Sequence, residues 1–590
     1  MLEACVEMDS DASSRRLTNS PDAAQRLAAW LALIPDPLDD KPAEAESSEK
    51  KGEARAASPH AYQGLSLIEL LPRLTLRLQR SANGRPTVRH GFTQATGKPG
   101  HYRVSVEFEE ESLVRLALDS ARRMCLALAS RGDYDAEAEL SQLRLFVDDY
   151  CLGPSTLSII DAARRRNIPA RRLNENSLVQ LGHGIHRRRM LTAETDRTSM
   201  IAEAIAQDKE LTKRLLQAVG VPVPAGRVVA DAADAWTAAC EIGLPVVVKP
   251  RDANHGRGVS LNLNLRHQIE AAYALAVVEG SGVIVESWAR GAEHRLLIVA
   301  GQLVAASRGE PEQVVGDGQH TVTELVDQLN QDPRRGVEFI FPLGKVLLDA
   351  LGLLTLEQQG YQPDSVPPAG TTVLIHPNGD FTTDETDEVH PDVAAQAVLA
   401  AQVIGLDVAG IDVIATSIAR PLREQGGVVT EVNAGPGLRM HLEPLRGRPR
   451  AVGEIILQSM FPAGQTGRIP TVAVCGPGSE VTASLVSRLL GAAGFYVGLA
   501  SPDALYVNER RLDSASGPRP QQQRSILLHP RLSAAVFEST PATLLEGGLA
   551  FDQCDVAILG AAAEPGAVRS SAEPVVPAAD RLVPGTLARV

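Results

Sequence analysis

Lysine, cysteine and long apolar runs are scarce in this chain, and each scarcity excludes a class of protein. Only 8 of the 58 basic residues are lysine, and none lies between 346 and 590. The six cysteines show no C-x-x-C spacing, which argues against a zinc site and is typical of the reducing cytoplasm. No apolar run reaches ~18 residues, so no membrane span is expected. The acidic start MLEACVEMDSDASSRR is not typical of a signal peptide.

The length and composition indicate a globular protein of several domains. A chain of 590 residues exceeds the usual size of one domain. Its 44% hydrophobic and 22% charged residues are ordinary values for a soluble fold. The net charge of −14 argues against a nucleic-acid-binding protein. Alternating helix and strand patterns predict an α/β multidomain fold.

Three oxygen-bearing side chains lie on two neighbouring apolar runs between 409 and 440. Asp412 lies on the first run, and Glu431 and Asn433 lie on the second. Alternating apolar residues predict that both runs are strands. If the strands are adjacent, the three side chains meet at one end of one sheet face. Hard cations such as Mg²⁺ prefer oxygen ligands, so this pattern predicts a magnesium site; the alternative is a pair of ordinary surface strands.

Two of the rare lysines lie upstream in positions suited to binding phosphate. Lys213 belongs to an amphipathic helix, KELTKRLLQAVG, and Lys249 ends the strand LPVVVKP. A glycine-containing loop follows before the strand VSLNL. Such a loop can fold over a phosphate chain because glycine lets backbone N–H groups approach closely. The predicted phosphate lid consists of Asn254, His255, Gly256, Arg257 and Gly258.

Two glutamates complete a predicted nucleotide site. Glu286 ends the strand VIVE, where its carboxylate can accept a hydrogen bond from an adenine edge. Glu293 lies seven residues further on, within reach of a ribose. The order of these parts, from two lysines through a glycine loop to GID and EVNAGPG, resembles the ATP-grasp fold.

The resemblance is closer still to the cyanophycin synthetases. The segments that carry it stand in that family's order and extend over roughly residues 62 to 560: LGPSTLSIIDAARRRNIP, KELTKRLLQAVGVPVPAGRVV, LPVVVKPRDANHGRGVSLN, EHRLLIVAGQLVAAS, VVGDGQHTVTELV, TDEVHPD and EVNAGPGLRMHL. Members of the family polymerise aspartate and arginine into a branched peptide. Their ATP-grasp domain phosphorylates the terminal carboxylate of the chain, and in the commonest type a second, Mur-ligase-like domain phosphorylates the side-chain carboxylate.

This resemblance implies roles for further residues. Arg295 and Arg308, on the two strands of a hairpin, would neutralise the γ-phosphate or the acyl phosphate. Arg439 and His441 would steer the substrate carboxylate. The cofactors implied are ATP and Mg²⁺, and the partners are a peptide polymer, dipeptide substrates and further copies of the chain in a tetramer or larger homo-oligomer.

The second nucleotide site of the family is altered here. The strand TVAVCG resembles the start of a Mur-type P-loop, and Glu480 stands where such a loop needs its lysine. A carboxylate repels a triphosphate, so we expect no catalysis from this domain. The chain thus resembles the second class of cyanophycin synthetase, which polymerises preformed β-aspartyl-arginine dipeptides with a single ATP site.

Five regions follow from these patterns. They are a largely disordered tail (1–61), an N-terminal α+β domain (62–155), the ATP-grasp domain (156–467), a degenerate and truncated Mur-ligase-like domain (468–560) and a flexible tail (561–590). Three alternatives remain: a ligase that acts once per substrate, a regulatory pseudoenzyme partner of a full-length synthetase, and a non-enzymatic polymer-binding protein. Departures from the family at Arg308-Gly309-Glu310 and in NGDFTTDETDEVHP leave the monomer open.

Overall fold

The chain divides into two units in a computed structural model. The structure describes residues 2–7, 21–38, 62, 65–96, 98–251, 258–332, 334–336, 343–376, 379–512 and 520–560. The first unit comprises residues 1–153 together with 332–345, and the second comprises 154–331 together with 346–590. The first unit ends its main segment at residue 153, and the regions on both sides of residue 468 lie in the second unit.

Among the residues that the structure describes, the first unit contains a three-stranded antiparallel sheet and four helices. The sheet has the order β1-β3-β2. Leucines at helical spacing on the first two helices fill the core of this unit. The elements are β1 (Leu2–Glu7), α1 (Pro21–Ala32), α2 (Leu67–Asn83), β2 (Gly91–Ala95), β3 (His101–Val106), α3 (Glu111–Ser130) and α4 (Ala136–Tyr150).

The region predicted as a largely disordered tail contains two regular elements: α1, which includes most of the segment AAQRLAAWLALI that the sequence offers as a possible helix, and β1, which the sequence did not predict. β1 pairs with β3 along its whole length, and the apolar face of α1 is buried in the core. The segment that follows α1 is also anchored, because Arg77 Nε donates to the Ile34 carbonyl at 2.8 Å and Arg80 pairs with Asp36 at 2.6 Å. The polar residues around β1 leave it without a strong strand signal in the sequence. Residues 8–20 and 39–61 lie outside the described residues, as does the tail at 561–590.

The second unit opens with a small antiparallel sheet and leads into a four-stranded sheet of order β10-β9-β11-β8. In chain order the elements are α5 (Pro154–Arg165), β4 (Ala170–Arg172), β5 (Leu178–Leu181), β6 (Arg188–Leu191), β7 (Glu194–Thr195), α6 (Met200–Gln207), α7 (Lys209–Ala218), β8 (Gly226–Val229), α8 (Ala232–Ile242), β9 (Val246–Pro250), β10 (Ser260–Leu263), α9 (Arg266–Glu279) and β11 (Val283–Ser287).

A five-stranded antiparallel sheet of order β18-β13-β12-β19-β20 follows. One of its faces packs against α12 in an aliphatic core. The elements of the second unit in this part of the chain are β12 (Ala292–Val299), β13 (Gln302–Gly309), β14 (Glu312–Val315), α10 (Val322–Leu329), α11 (Ala350–Gln358), β17 (Thr372–His376), β18 (Phe381–Asp384), α12 (Pro391–Ile404), β19 (Val408–Ala415), α13 (Leu422–Gln425), β20 (Val428–Ala434), α14 (Arg439–Leu442) and α15 (Val452–Met460). Two short strands between α10 and α11, β15 (Arg335–Gly336) and β16 (Leu343–Gly344), belong to the first unit.

The C-terminal region is a six-stranded sheet of order β24-β23-β22-β25-β21-β26 with a parallel centre. Its elements are β21 (Thr471–Cys475), α16 (Ser479–Ala492), β22 (Val497–Ala500), β23 (Leu505–Val507), β24 (Arg510–Leu512), α17 (Pro520–Gln523), β25 (Ala534–Ser539), α18 (Pro541–Gly547) and β26 (Val556–Leu559). It joins the segment after β5, because His183 N donates to Gly467 O at 2.7 Å and Ile185 N to Leu532 O at 2.9 Å. The mixed α/β multidomain prediction is confirmed. None of the helices in the described ranges has both the length and the apolar character that crossing a membrane requires.

A histidine joins three elements of the subdomain built from β14, β17 and α11. The Nδ1 atom of His376 lies 2.6 Å from Glu312 Oε2, and its Nε2 atom lies 2.9 Å from Asp349 Oδ1. Asp349 also caps α11 by accepting from Gly352 N. Two carboxylate partners require both ring nitrogens to carry protons, so His376 is an imidazolium here. The hydrogen bond to Glu312, and then the one to Asp349, raise the pKa of His376.

We expect this subdomain to lose stability as the pH rises. The pKa of His376 is higher in the folded than in the unfolded chain. Its ion pairs therefore stabilise the fold fully below the unfolded-state pKa of about 6.5, and this stabilisation is lost as the pH rises through the higher folded-state pKa. The free energy of local opening should fall by about 1–2 kcal/mol, measured by amide hydrogen exchange in 350–376 after correction for the intrinsic rate. His376→Gln should remove this pH dependence; an unchanged slope in that variant would contradict the assignment.

Candidate active site

Two lysines and one glutamate from three elements meet on the face of the four-stranded sheet that is opposite its aliphatic core. Lys249 on β9 places Nζ 2.9 Å from Glu286 Oε2 on the adjacent strand β11, and Lys213 on α7 contacts the other oxygen, Oε1. Burial lowers the pKa of both lysines, and the neighbouring Lys249 lowers that of Lys213 further. Two ammonium groups facing one carboxylate leave a positive site that attracts phosphate. The adenine role of Glu286 stays a prediction, since its oxygens hold lysines here.

A third lysine, Lys209, belongs to this site and was missed by the sequence reasoning. It is the first residue of α7, one turn before Lys213, and its Nζ lies 3.2 Å from Glu431 Oε1 on β20. The signal was present in the sequence, because two of only eight lysines stand at i and i+4, on the same face of one helix. Lys209 thus connects the lysine cluster with the predicted metal ligands.

The three oxygen-bearing side chains lie together on the five-stranded sheet, as predicted. β19 and β20 are adjacent, with Asp412 opposite Glu431 and Gly410 opposite Asn433. The Asn433 Nδ2 donates to Asp412 Oδ2 at 2.9 Å. The face they share is the one opposite α12, because the alternate residues of both strands enter the aliphatic core.

Arg295 on β12 lies flat across this face. It is the cross-strand partner of Asp412, and its Nη2 lies 3.0 Å from Asp412 Oδ2 while Nε contacts Oδ1. Gly410 makes this possible, because a Cβ atom there would lie 3.1 Å from Arg295 Cδ and 2.9 Å from Pro436 Cβ. Glycine at position 410 therefore lets the side chain of Arg295 lie close to the sheet.

The donor set suits Mg²⁺ by its chemistry. Asp412 and Glu431 supply carboxylates and Asn433 supplies an amide oxygen, which are the ligands that Mg²⁺ prefers. In this structure Asp412 pairs with Arg295, and Glu431 pairs with Lys209. Within the described ranges no group of three or more His, Cys, Asp or Glu side chains forms a metal cage. A magnesium ion would take two carboxylates, the amide and phosphate oxygens or water.

Glu293 lies on the same face, two residues before Arg295. It stands opposite Ile414, at the end of the sheet where β12 begins. Burial raises the pKa of Glu293 to about 7, and the neighbouring Asp412 contributes. A carboxyl group that is half protonated near neutral pH can donate as well as accept a hydrogen bond. That property suits the hydroxyl-binding role predicted for it, which stays a prediction.

The structure separates Arg308 from Arg295, which sequence reasoning placed together. The hairpin exists, but Arg295 pairs with Ser307 whereas Arg308 pairs with His294. Successive residues of a strand point to opposite faces, so Arg308 belongs to the α12 side. There it binds Glu310 and Glu385, both at 2.8 Å. Its predicted contact with the γ-phosphate therefore has no support from the strand register.

The other predicted substrate residues follow the GPG turn. Arg439 Nε lies 3.7 Å from Glu443 Oε2. His441 is 1% exposed, and its Nδ1 lies 3.0 Å from Ser307 Oγ. Burial, followed by the charge of Arg295, lowers the pKa of His441 to about 3, so this ring is neutral and cannot act as a cation. Of the predicted lid, Gly258 has φ +67, and Asn254, His255, Gly256 and Arg257 lie outside the described residues.

The chain is similar to several known proteins. Residues 202–294 match the family model for an ATP-grasp domain. The cyanophycin synthetase of Synechocystis sp. is 38% identical over 509 residues, which are 84% of this chain and 58% of that protein. The cyanophycin synthetase of Nostoc sp. is 37% identical over 507 residues, which are 84% of this chain and 56% of that protein. The chain thus spans less than two thirds of these relatives' length.

A solved structure is also similar: a bifunctional glutathione synthetase from Pasteurella multocida is 26% identical, covers 60% of this chain and 52% of its own, and has a TM-score of 0.40. ATP-grasp ligases use ATP and Mg²⁺, and the lysines and oxygen ligands described above are the groups that such a pair of cofactors requires. The match to the synthetases extends over both units of the fold and confirms the resemblance found in the motifs. The chain is a relative of the cyanophycin synthetases, similar to them over 84% of its length, and it contains an ATP-grasp domain.

Proposed function

We propose that this protein is an ATP-dependent peptide polymerase. It phosphorylates the C-terminal carboxylate of a growing chain and condenses it with the amino group of a β-aspartyl-arginine-type dipeptide, which gives cyanophycin or a related polymer. The observation that carries the proposal is the continuous site formed by Lys213, Lys249, Glu286, Lys209 and Glu431. A regulatory, nucleotide-binding pseudoenzyme would share the lysines, and ATP turnover by the pure protein separates it from the enzyme that we propose.

The chemistry follows from charge neutralisation and positioning. Lys209, Lys213 and Lys249 bind the phosphate oxygens. Asp412, Glu431 and Asn433 would hold Mg²⁺, which would lower the charge of the triphosphate. The terminal carboxylate of the polymer attacks the γ-phosphorus, and ADP leaves. Arg295 orients the resulting acyl phosphate. The amine of the dipeptide then attacks the acyl carbon, a C–N bond forms, and phosphate departs with the electrons of the C–O bond.

The dipeptide substrate is supported by the C-terminal sheet. A two-step synthetase needs a second nucleotide site. The P-loop-like turn before α16 has two glutamates close to it instead. Ser479 Oγ donates to Glu538 Oε1 at 2.9 Å, and Glu480 lies in the first turn of α16. Burial raises the pKa of Glu538, and the charge of Glu480 adds to this. A turn that already holds like charges close together is a poor site for a triphosphate.

Incubation with ATP, Mg²⁺, a short primer and a panel of β-aspartyl dipeptides tests the proposal. The polymerase predicts phosphate release together with a ladder of product masses separated by one dipeptide residue. A single condensation product would identify the ligase that acts once per substrate. Primer binding without ATP turnover by the pure protein would identify the pseudoenzyme or the polymer-binding protein. A cytoplasmic location and a tetramer or larger homo-oligomer belong to the same proposal.

Glu480→Ala is expected to leave this turnover within about twofold of the wild type, because the proposed ATP site lies on other sheets. Ser479→Ala is the matched variant, since it removes the hydrogen bond to Glu538 at the same turn. Steady-state phosphate release measures both. A loss of activity in Glu480→Ala, with the thermal stability unchanged, would contradict this expectation and show that the C-terminal sheet takes part in catalysis.

A further inference from the structure

The two carboxylates that would hold the metal ion are each paired with a basic side chain. Lys209 Nζ lies 3.2 Å from Glu431 Oε1. Arg295 Nη2 lies 3.0 Å from Asp412 Oδ2. Two negative charges thus face two positive charges, and a divalent cation that approaches is attracted by the first pair of groups and repelled by the second. Tight metal binding therefore requires that at least one basic group withdraws.

The two basic side chains differ in how easily they can move. Arg295 lies on β12, the central strand of the five-stranded sheet, and its Nε contacts Asp412 Oδ1 as well, so both oxygens of that carboxylate are engaged. Lys209 has a compact ammonium group at the end of a flexible four-carbon chain, which can turn toward another anion. The pair between Lys209 and Glu431 is therefore the easier one to open.

A second anionic partner for Lys209 is expected at the phosphate site. Lys209 and Lys213 lie on the same face of α7, about 6 Å apart along the helix axis. Lys213 and Lys249 both contact Glu286. Burial is the main cause that lowers the pKa of Lys213 and Lys249, and the nearby charge of Lys209 lowers both further. A phosphate chain bound by these two lysines would thus compete with Glu431 for the ammonium group of Lys209.

The backbone that carries Lys209 is anchored, so this exchange needs only the side chain to move. Asp208 caps α7 by accepting from Leu211 N at 3.0 Å, and its other oxygen lies 3.4 Å from Arg251 Nη2. Arg251 directly follows β9. The start of α7 is therefore tied to the four-stranded sheet, while the Lys209 side chain reaches β20 of the five-stranded sheet.

We propose that Lys209 couples the binding of the two cofactors: it pairs with Glu431 until a triphosphate takes its ammonium group, and only then is Glu431 a strong metal ligand. This inference rests on the function proposed above. The exchange restores one negative charge to the ligand set of Asp412, Glu431 and Asn433 and adds one positive charge to the phosphate site. Because coupling between two ligands is reciprocal, the metal ion must strengthen nucleotide binding by the same factor.

Metal binding without nucleotide is the sharpest test, because the expected change is a gain. Lys209→Met removes the ammonium group and keeps most of the aliphatic chain, so this variant should bind Mn²⁺ about tenfold more tightly than the wild type. Loss of a purely structural contact would instead weaken the site. Lys209→Arg keeps the charge and should bind Mn²⁺ as the wild type does. Lys98→Met, in an exposed turn of the first unit, is the matched control and should change nothing. Electron paramagnetic resonance of free Mn²⁺ measures these affinities without turnover.

Nucleotide binding gives a second readout. Titration of a fluorescent ATP analogue with and without Mg²⁺ should show that the metal strengthens nucleotide binding about tenfold less in Lys209→Met than in the wild type. A Mn²⁺ affinity of Lys209→Met no higher than that of the wild type would overturn the inference and leave the polymerase proposal standing.

A double variant separates this inference from the function on which it rests. Lys209→Met with Glu431→Gln should lose the tighter Mn²⁺ binding, because the restored carboxylate is then absent. If the double variant kept it, Glu431 would not be a metal ligand, and the metal site of the proposed function would be refuted together with the inference.

Discussion

Lys249→Ala is expected to abolish ATP turnover, with a fall in kcat/KM for ATP of about 10²–10³-fold. The Lys249 side chain is largely buried, with 15% of it exposed, and its ammonium group lies 2.9 Å from Glu286 on the neighbouring strand. Removing it leaves a buried carboxylate beside the position proposed for the triphosphate, with Lys213 as its remaining contact. The variant therefore loses an attractive charge and also gains a repulsive one.

Two further variants make this result specific. Lys98→Ala, in an exposed turn of the first unit, removes a lysine without touching the cleft and should leave turnover unchanged. Lys249→Ala with Glu286→Gln removes the repulsive charge as well, and should recover part of the ATP affinity lost in the single variant. Phosphate release and direct nucleotide titration measure the two effects. Turnover within threefold of the wild type in Lys249→Ala would refute the proposed phosphate site.

Gly410→Ala is expected to reduce kcat by about 100-fold with a modest loss of stability. The added methyl group would lie 2.9 Å from Pro436 Cβ and 3.1 Å from Arg295 Cδ, inside normal contact distances. Either the turn or the arginine must move, and overpacking of this kind costs about 1–3 kcal/mol. A shift of about 1 Å in Arg295 breaks its alignment with Asp412, and misplacement of that size in a catalytic group costs on the order of 10²-fold in rate.

A glycine without close neighbours provides the matched control. No atom lies within 4 Å of a Cβ built on Gly491, in the last turn of α16, so Gly491→Ala should keep full activity and raise stability by about 0.5–1 kcal/mol. Steady-state kinetics and thermal unfolding of both variants give the comparison. If Gly410→Ala kept its activity, the position of Arg295 would have no importance for catalysis.

Much of the local structure followed from short-range patterns. The strands at Asp412 and Glu431, the helix of Lys213 and the strand ending at Lys249 were all predicted within a few residues, since periodicity and helix-ending glycines are encoded locally. The shared face of Asp412, Glu431 and Asn433 followed from alternation alone. The strand β1 was not predicted, because a six-residue polar-flanked segment has no strong period and is defined by its pairing with β3.

The amino-acid sequence by itself determined the family, the element types and the chemical character of the site, because motif order and residue chemistry are properties of the chain. Only the tertiary structure decided which charges meet. Strand register pairs Arg295 with Asp412 and places Arg308 on the opposite face. The pairing of β9 with β11 brings Lys249 to Glu286, and the packing of α7 adds Lys213. Packing buried His441. These contacts join residues far apart in the chain, and a one-residue shift in register would move the side chains of a strand to its opposite face.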